Sequence, residues 1–166
     1  ARQYFSDVKM VFVAEEKNAD KVSWLRMLPH MYDESAKLRT LITDNESKNI
    51  VFEYLYKELT FRDQGKKHEN NIVVFFYDEY GFKNHPISKF IEKAKDLGVT
   101  FVFFGEKEAD IPLGCGYIIE AKAEKAVLIS TTDSSNTIEF TYPILQDVDA
   151  MRIVNLLAPV YSEEIS

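Results

Sequence analysis

The amino-acid sequence predicts an α/β domain of three layers: a mostly parallel central sheet, helices on both of its faces, and a short antiparallel extension. Three observations lead there. From Asp7 to Phe104, β-branched and aromatic runs take turns with segments of helical periodicity. Two of those runs, residues 72–77 (IVVFFY) and 99–104 (VTFVFF), lack the polar alternation of a half-exposed strand, as strands buried on both faces of a parallel sheet do. The later strand-like runs follow one another with little helix between them, as antiparallel strands do.

The elements follow in order. Residues 7–14 (DVKMVFVA) form the first strand. Residues 21–31 (KVSWLRMLPHM) set Val22, Leu25 and Leu28 at helical spacing, and Pro29 ends that helix early. Residues 38–43 (LRTLIT) are a short strand, and Asp44, Asn45, Glu46 and Ser47 behind it all suit a helix cap. The next helix, residues 47–62, carries Ile50, Val51, Tyr54, Leu55 and Leu59 on one face. Residues 63–71 (DQGKKHENN) are polar, contain Gly65 and form an exposed loop. Beyond strand 72–77, Pro86 opens a helix whose apolar positions are Ile87, Phe90, Ile91, Ala94 and Leu97, with Gly98 as its stop. Strand 99–104 comes next. With both apolar runs central and parallel, Val74 and Val102 are expected side by side and buried. Residues 118–121, 126–130 and 137–142 are shorter strands, and Asp147 caps a last helix with Met151, Val154, Leu157 and Ala158 inside.

A chain of 166 residues is one domain, residues 1–166, large enough for a core of its own. Its 46% hydrophobic content, with 12 Phe and 9 Tyr, excludes a disordered segment. No apolar run approaches the ~20 residues of a membrane helix, and no signal peptide opens the chain. The single cysteine, Cys115, excludes an internal disulfide and a cysteine-rich zinc site and points to a reducing compartment. With 27 acidic against 20 basic residues the net charge is -7, which repels phosphate backbones and argues against nucleic-acid binding. The first residue is Ala1 rather than Met, as in a fragment of something longer.

In sheets of this kind ligands sit beyond the carboxyl ends of the strands. Strand 72–77 ends in Asp78 and Glu79, the layout of the second nucleotide motif of phosphate-loop ATPases, where one carboxylate holds Mg2+ and the next polarises water. The partner motif is a glycine-rich phosphate cradle between an earlier strand and its helix. That place is residues 43–49 (TDNESKN), which hold Lys48 and no glycine; the first glycine of the chain is Gly65. Lys48, Asp78 and Glu79 are therefore a degenerate nucleotide site. Glu15, Glu16 and Asp78 also suit the acidic cluster of a phosphoacceptor receiver domain, but the next strand ends Phe103-Phe104-Gly105-Glu106, without the hydroxyl such a site needs. His30, His68 and His85 form no metal-ligand spacing, and Cys115, between Gly114 and Gly116, is a small buried thiol rather than a nucleophile. No catalytic residue and no metal site emerges.

One stretch carries a resemblance. Trp24-Leu25-Arg26-Met27-Leu28-Pro29-His30 resembles the W-x-x-W-L-P-H stretch of the membrane ATPases of type VII secretion systems, the EssC/EccC proteins of the FtsK/SpoIIIE class. Further matches keep the family's order: Leu41-Ile42-Thr43, Leu59-Thr60-Phe61-Arg62, strand 72–77 with Asp78, Leu97-Gly98-Val99, Ile111-Pro112-Leu113-Gly114-Cys115, and the close from Pro143-Ile144 to Leu157-Ala158-Pro159. Met27 departs from the family, where many relatives have a second tryptophan. The resemblance implies a degenerate RecA-like, P-loop-like module between the membrane helices and the first recognised ATPase module. It further implies a cytoplasmic domain of a cell-membrane protein and a non-catalytic coupling or regulatory role in the secretion motor. No cofactor is implied in this domain, with Mg-ATP bound by other modules. The implied partners are neighbouring ATPase modules of the same chain, other type VII secretion membrane components and, indirectly, small helical secreted proteins. The alternative is an active ATPase module with an atypical phosphate site at Lys48, Asp78 and Glu79. Trp24, Leu28, Pro29 and His30 are an interface or a structural corner. The carboxyl-end rim around Asp44, Asp78, Glu79 and Gly105 is the expected docking edge, with carboxylates that matter little for folding.

Overall fold

A computed structural model describes residues 7–133 and 135–154. The β-branched run Val8–Val13 forms β1, and two parallel partners flank it: β4 (Leu41–Ile42) on one side and β5 (Asn71–Phe76) on the other. β6 (Val99–Phe103) pairs parallel with β5, giving the order β4-β1-β5-β6. A two-stranded antiparallel ribbon, β2 (Tyr32–Asp33) with β3 (Leu38–Arg39), lies on the path from β1 to β4. The antiparallel part is a sheet of its own, β7 (Tyr117–Lys122), β8 (Lys125–Ser130) and β9 (Thr137–Thr141), joined by ladder hydrogen bonds within itself. One of its faces carries Tyr117, Ile119, Ile138 and Phe140, all exposed.

The parallel sheet has a layer on each face. Alternation along β1 and β5 turns Val11, Val13, Ile72, Val74 and Phe76 toward the long helix α2 (Asn45–Asp63), which answers with Val51, Phe52, Leu55 and Leu59. Met10, Phe12 and Leu41 face the other way, against Val22, Leu25, Met31, Trp24 and Leu28 of residues 16–31. That second layer is not one helix. It is a chain of short turns, the helix α1 (Ala19–Val22) flanked by 3-10 turns Glu16–Asn18, Ser23–Met27 and Pro29–Met31. Among the described residues no helix is long and apolar enough to cross a membrane.

Five further expectations need correcting. β6 lies at the edge of the sheet, because the strands that follow it pair with one another instead of returning beside it. The β5–β6 register sets Val74 opposite Phe101 and Val102 opposite Phe75, so Val74 is fully buried while Val102 is half-buried on the other face. Residues 86–98 form a 3-10 turn, Pro86–Phe90, and a succession of further turns, not an α-helix. The apolar positions recur three apart (87 and 90; 91, 94 and 97), and a three-residue period lines them on one face as well as a 3.6-residue one. Ile87, Phe90 and Leu97 are buried all the same. On α2, Ile50 is 53% exposed and Phe52 takes its place inside. Ile50 precedes Leu55 by five residues, roughly 140° round the helix. In the last helix, residues 147–154, Val154 is buried and Met151 exposed, while Leu157, Ala158 and Pro159 lie outside the described residues.

The opposite, amino-terminal end of the sheet is tied by charge. Lys9 on β1 donates to Asp33 of the ribbon at 2.7 Å, to Ser35 at 3.0 Å, and to Tyr54 of α2 at 3.5 Å. Tyr54 donates to the same Asp33 carboxylate at 3.1 Å. Burial pushes the Asp33 carboxyl up, but hydrogen bonds from Lys9, Ser35 and the Ala36 N–H outweigh it and hold the pKa at about 2, against an ordinary 3.8. The folded value lies below the unfolded one, so the contribution is in full force above 3.8 and fades as pH falls from there to about 2. It amounts to at most about 2 kcal/mol. Urea midpoints of the wild type and Asp33→Asn should therefore differ at neutral pH and converge near pH ~2; a constant gap across that range contradicts the assignment.

Candidate functional site

The carboxyl ends of β1, β4 and β5 meet in a rim made by the register of the strands. Beyond β5 the ladder runs one step further, Tyr77 donating to the Val13 carbonyl at 2.8 Å, which places Asp78 beside the exit of β1. Its carboxylate accepts the Glu15 N–H at 2.8 Å and the Asn18 side-chain amide at 2.9 and 3.1 Å. Asn18 is buried. Asp78 thus acts as a clamp that pins the turn leaving β1. Glu79 caps the next turn, accepting the backbone N–H of Gly81 at 3.2 Å and that of Lys83. Tyr80 and Gly81 are both left-handed there (φ 49 and 85), and the reversal delivers Phe82 into the core.

At the neighbouring corner, Asp44 is the N-cap of α2. Its carboxylate accepts the Ser47 N–H at 2.8 Å and the Ser47 hydroxyl at 2.7 Å. These bonds, the Ser47 N–H first, hold its pKa below the usual carboxylate value. A phosphate loop uses the same helix end differently: its glycines turn backbone N–H groups toward an anion, and the helix dipole favours the charge. Here the side chain of Asp44 already supplies that anion. Lys48 donates to Asn45 Oδ1 at 3.2 Å and lies 4.6 Å above the Tyr80 ring, so its charge is engaged between α2 and the β5 turn. Burial raises the Tyr80 hydroxyl pKa, helped by the charges of Asp44, Glu15 and Glu16. The rim is acidic, and its donors are committed.

The structure brings Lys48, Asp78 and Glu79 to one rim, as the sequence predicts, and gives each of them a partner within the protein. The receiver-domain set fares alike, since Asp78 is held by Asn18 and the Glu15 N–H. The carboxylates are also not all dispensable for folding: Asp78 is half-buried and hydrogen-bonded, which corrects that expectation. Among the described residues no three His, Cys, Asp or Glu converge where they could hold a metal ion. Asn18 is the site residue that sequence reasoning misses, because nothing local marks an asparagine that reaches a strand end sixty residues away.

Trp24, Leu28, Pro29 and His30 sit apart from the rim's charged groups, on the second layer. The Trp24 indole N–H donates to the Lys21 carbonyl at 3.0 Å while Trp24 and Leu28 pack, half-buried, against the cluster of Ala14, Val22, Leu25 and Met31. Leu28 is extended (φ -77, ψ 128) between two 3-10 turns, and Pro29 opens the second of them. Burial lowers the pKa of His30, which is half-buried at that corner.

Comparison with known proteins agrees with the motif order. No protein-family model matches the chain. By sequence the chain is similar to the type VII secretion system protein EssC of Staphylococcus aureus, with 21% identity in strains MSSA476 and NCTC 8325 over alignments covering 92% of this chain and 11% of the relative. The chain thus spans about a tenth of the length of the curated relatives it matches. Its fold is similar to EssC (ATPases 2 and 3) from Geobacillus thermodenitrificans, with a TM-score of 0.64 and 14% identity over 97% of this chain and 39% of that one. It is also similar to the cytoplasmic domain of EssC, with a TM-score of 0.59 and 12% identity over 97% and 40% of the two chains. The chain is homologous to EssC, and its mixed α/β architecture is that of an EssC ATPase-like domain.

The clamp role of Asp78 is measurable. Asp78→Ala leaves the Glu15 N–H and the buried Asn18 amide without their acceptor, a loss of about 1–3 kcal/mol in denaturant unfolding of the purified domain. A change inside ±0.5 kcal/mol, the range of ordinary surface substitutions, contradicts the role.

Proposed function

We propose that this chain is a module of a type VII protein-secretion motor that works by contact rather than by hydrolysis. It would lie on the cytoplasmic side of the cell membrane and couple to neighbouring ATPase modules of the same polypeptide and to other membrane components of the system. Mg-ATP would be bound by those other modules. Homology to EssC supports the motor assignment. The observation that carries the non-catalytic reading is Asp44: an internal carboxylate occupies the Ser47 N–H and hydroxyl at the helix end that a nucleotide's phosphates would approach. An incoming triphosphate would have to displace that carboxylate and enter a rim lined by Glu15, Glu16 and Glu79, where Lys17 is already paired with Glu15 at 2.6 Å. Lys48, the cation at the start of α2, is held by Asn45 and Tyr80.

The melting temperature of the purified domain with and without Mg-ATP tests this. A ligand at a hundred times its dissociation constant adds about 2.7 kcal/mol of stability, so even micromolar affinity would be plain at millimolar nucleotide. No shift is expected. A shift that Lys48→Ala abolishes would establish the atypical phosphate site instead. For the contact role the informative carboxylates are those free of structural duty. Glu16→Lys with Glu106→Lys in the complete motor should leave the domain folded yet impair secretion or alter the ATPase rate, and wild-type values for both would remove the rim from the docking surface.

A further inference from the structure

The corner at Leu28–Pro29 and the ribbon β2–β3 enclose a groove of about 290 Å³ lined by Arg26, Met27, Leu28, Pro29, Tyr32 and Arg39. Its walls follow from local geometry. The turn Ser23–Met27 ends where Leu28 becomes extended, which leaves Met27 projecting 50% exposed beside Arg26. In the ribbon, Tyr32 stands directly opposite Arg39, so the two side chains share one face, while the next pair, Asp33 and Leu38, takes the other and sends Asp33 inward to Lys9. Leu28 and Pro29 form an apolar floor between the two walls.

The groove carries two guanidinium groups, those of Arg26 and Arg39. Among the described residues neither the Arg26 nor the Arg39 side chain has a hydrogen-bond or ion-pair partner, in a chain where acidic residues outnumber basic ones 27 to 20. Arg62, by contrast, is buried and engaged with Glu58, Asn70 and the Leu97 carbonyl. A planar guanidinium is suited to carboxylates, which it takes two bonds at a time. Arg and Tyr beside an apolar pocket are also the residue types that dominate protein-binding hot spots.

We propose that this groove binds an extended acidic segment of a protein, seating one apolar side chain on Leu28 and Pro29 between Met27 and Tyr32 and setting carboxylates on Arg26 and Arg39. The volume admits one or two side chains, not a folded domain. A polyphosphate or nucleic acid is the poorer match, since it offers no apolar side chain to cover Leu28 and Pro29. The inference stands on the groove alone and does not depend on the motor assignment.

Selection of a random displayed peptide library on the purified domain tests it. The enriched peptides should carry Asp or Glu flanking Leu, Phe, Met or Trp. Affinity of a selected peptide, read by fluorescence polarisation, should fall at least about tenfold in Arg26→Glu with Arg39→Glu and weaken as salt is added. Both arginines are exposed, so the fold should be kept, and the melting temperature verifies it; Met27→Asp, a second variant, should weaken the same peptide without touching either arginine. Enrichment without acidic residues, affinity indifferent to the arginine reversals, or tight arginine-dependent binding of inorganic triphosphate in place of peptide would each overturn the proposal.

Discussion

Phe76 is the side chain from which the rest of this fold is set. Its ring stacks on Phe103 at 4.7 Å, meets Phe82 at the same distance, and touches Phe52 of α2 edge-on at 6.2 Å. Those three contacts join the sheet edge, the turn after β5 and the covering helix. The stack holds the β5–β6 register, since Phe76 and Phe103 are direct parallel partners. The Phe82 contact requires the chain to reverse within a few residues of the strand end, which it does through the left-handed pair Tyr80 and Gly81. A residue with a side chain resists that conformation at a cost of about 1–2 kcal/mol, so something must offset it. The hydrogen bonds to Glu79 and the burial of the Phe82 ring are what offset it here.

From this the character of the rim follows. In a nucleotide-binding α/β fold the residues just past the strands are left free to meet a ligand, and glycines give the backbone its reach. Here the same positions are used to hold the protein together. Asp78 ties the exit of β1, Glu79 caps the reversal, Asp44 caps α2, and Lys48 bridges α2 to the reversal. Each of these contributes about 1 kcal/mol, the usual net value of such bonds. Releasing any of them to bind phosphate would have to repay that loss. The rim has the topology of a nucleotide site and the chemistry of a splice.

The layered α/β architecture was legible from patterning alone, because two apolar strands and an amphipathic helix leave few ways to bury themselves. So were β1, α2, β5 and the antiparallel strands, to within a residue or two. The register of β5 on β6 was not: Val74 and Val102 look equivalent in two runs of uninterrupted apolar residues, and no alternation says which positions share a face. The edge position of β6 depended on where the later strands pair, which is a long-range outcome. Residues 86–98 misled for a different reason, since apolar spacing of three satisfies both kinds of helix. At the rim, the loss of the glycine cradle and the acidic pair after β5 were readable. That those carboxylates had acquired structural partners was not, because Asn18 and the Glu15 N–H reach Asp78 only through the fold.

The position at which this chain departs from the type VII pattern, Met27, gains a meaning from the same geometry. Trp24 packs against the cluster of Ala14, Val22, Leu25 and Met31, and its indole N–H is bonded. Met27, three residues on, faces out of that layer and packs against no core cluster. The fold therefore constrains Met27 less than it constrains Trp24. A tryptophan there would present a rigid, flat wall; methionine presents a flexible, polarisable one that adapts to differently shaped side chains. On the proposed groove, exchanging one for the other would change which side chains fit, while the corner beneath is made by Leu28 and Pro29.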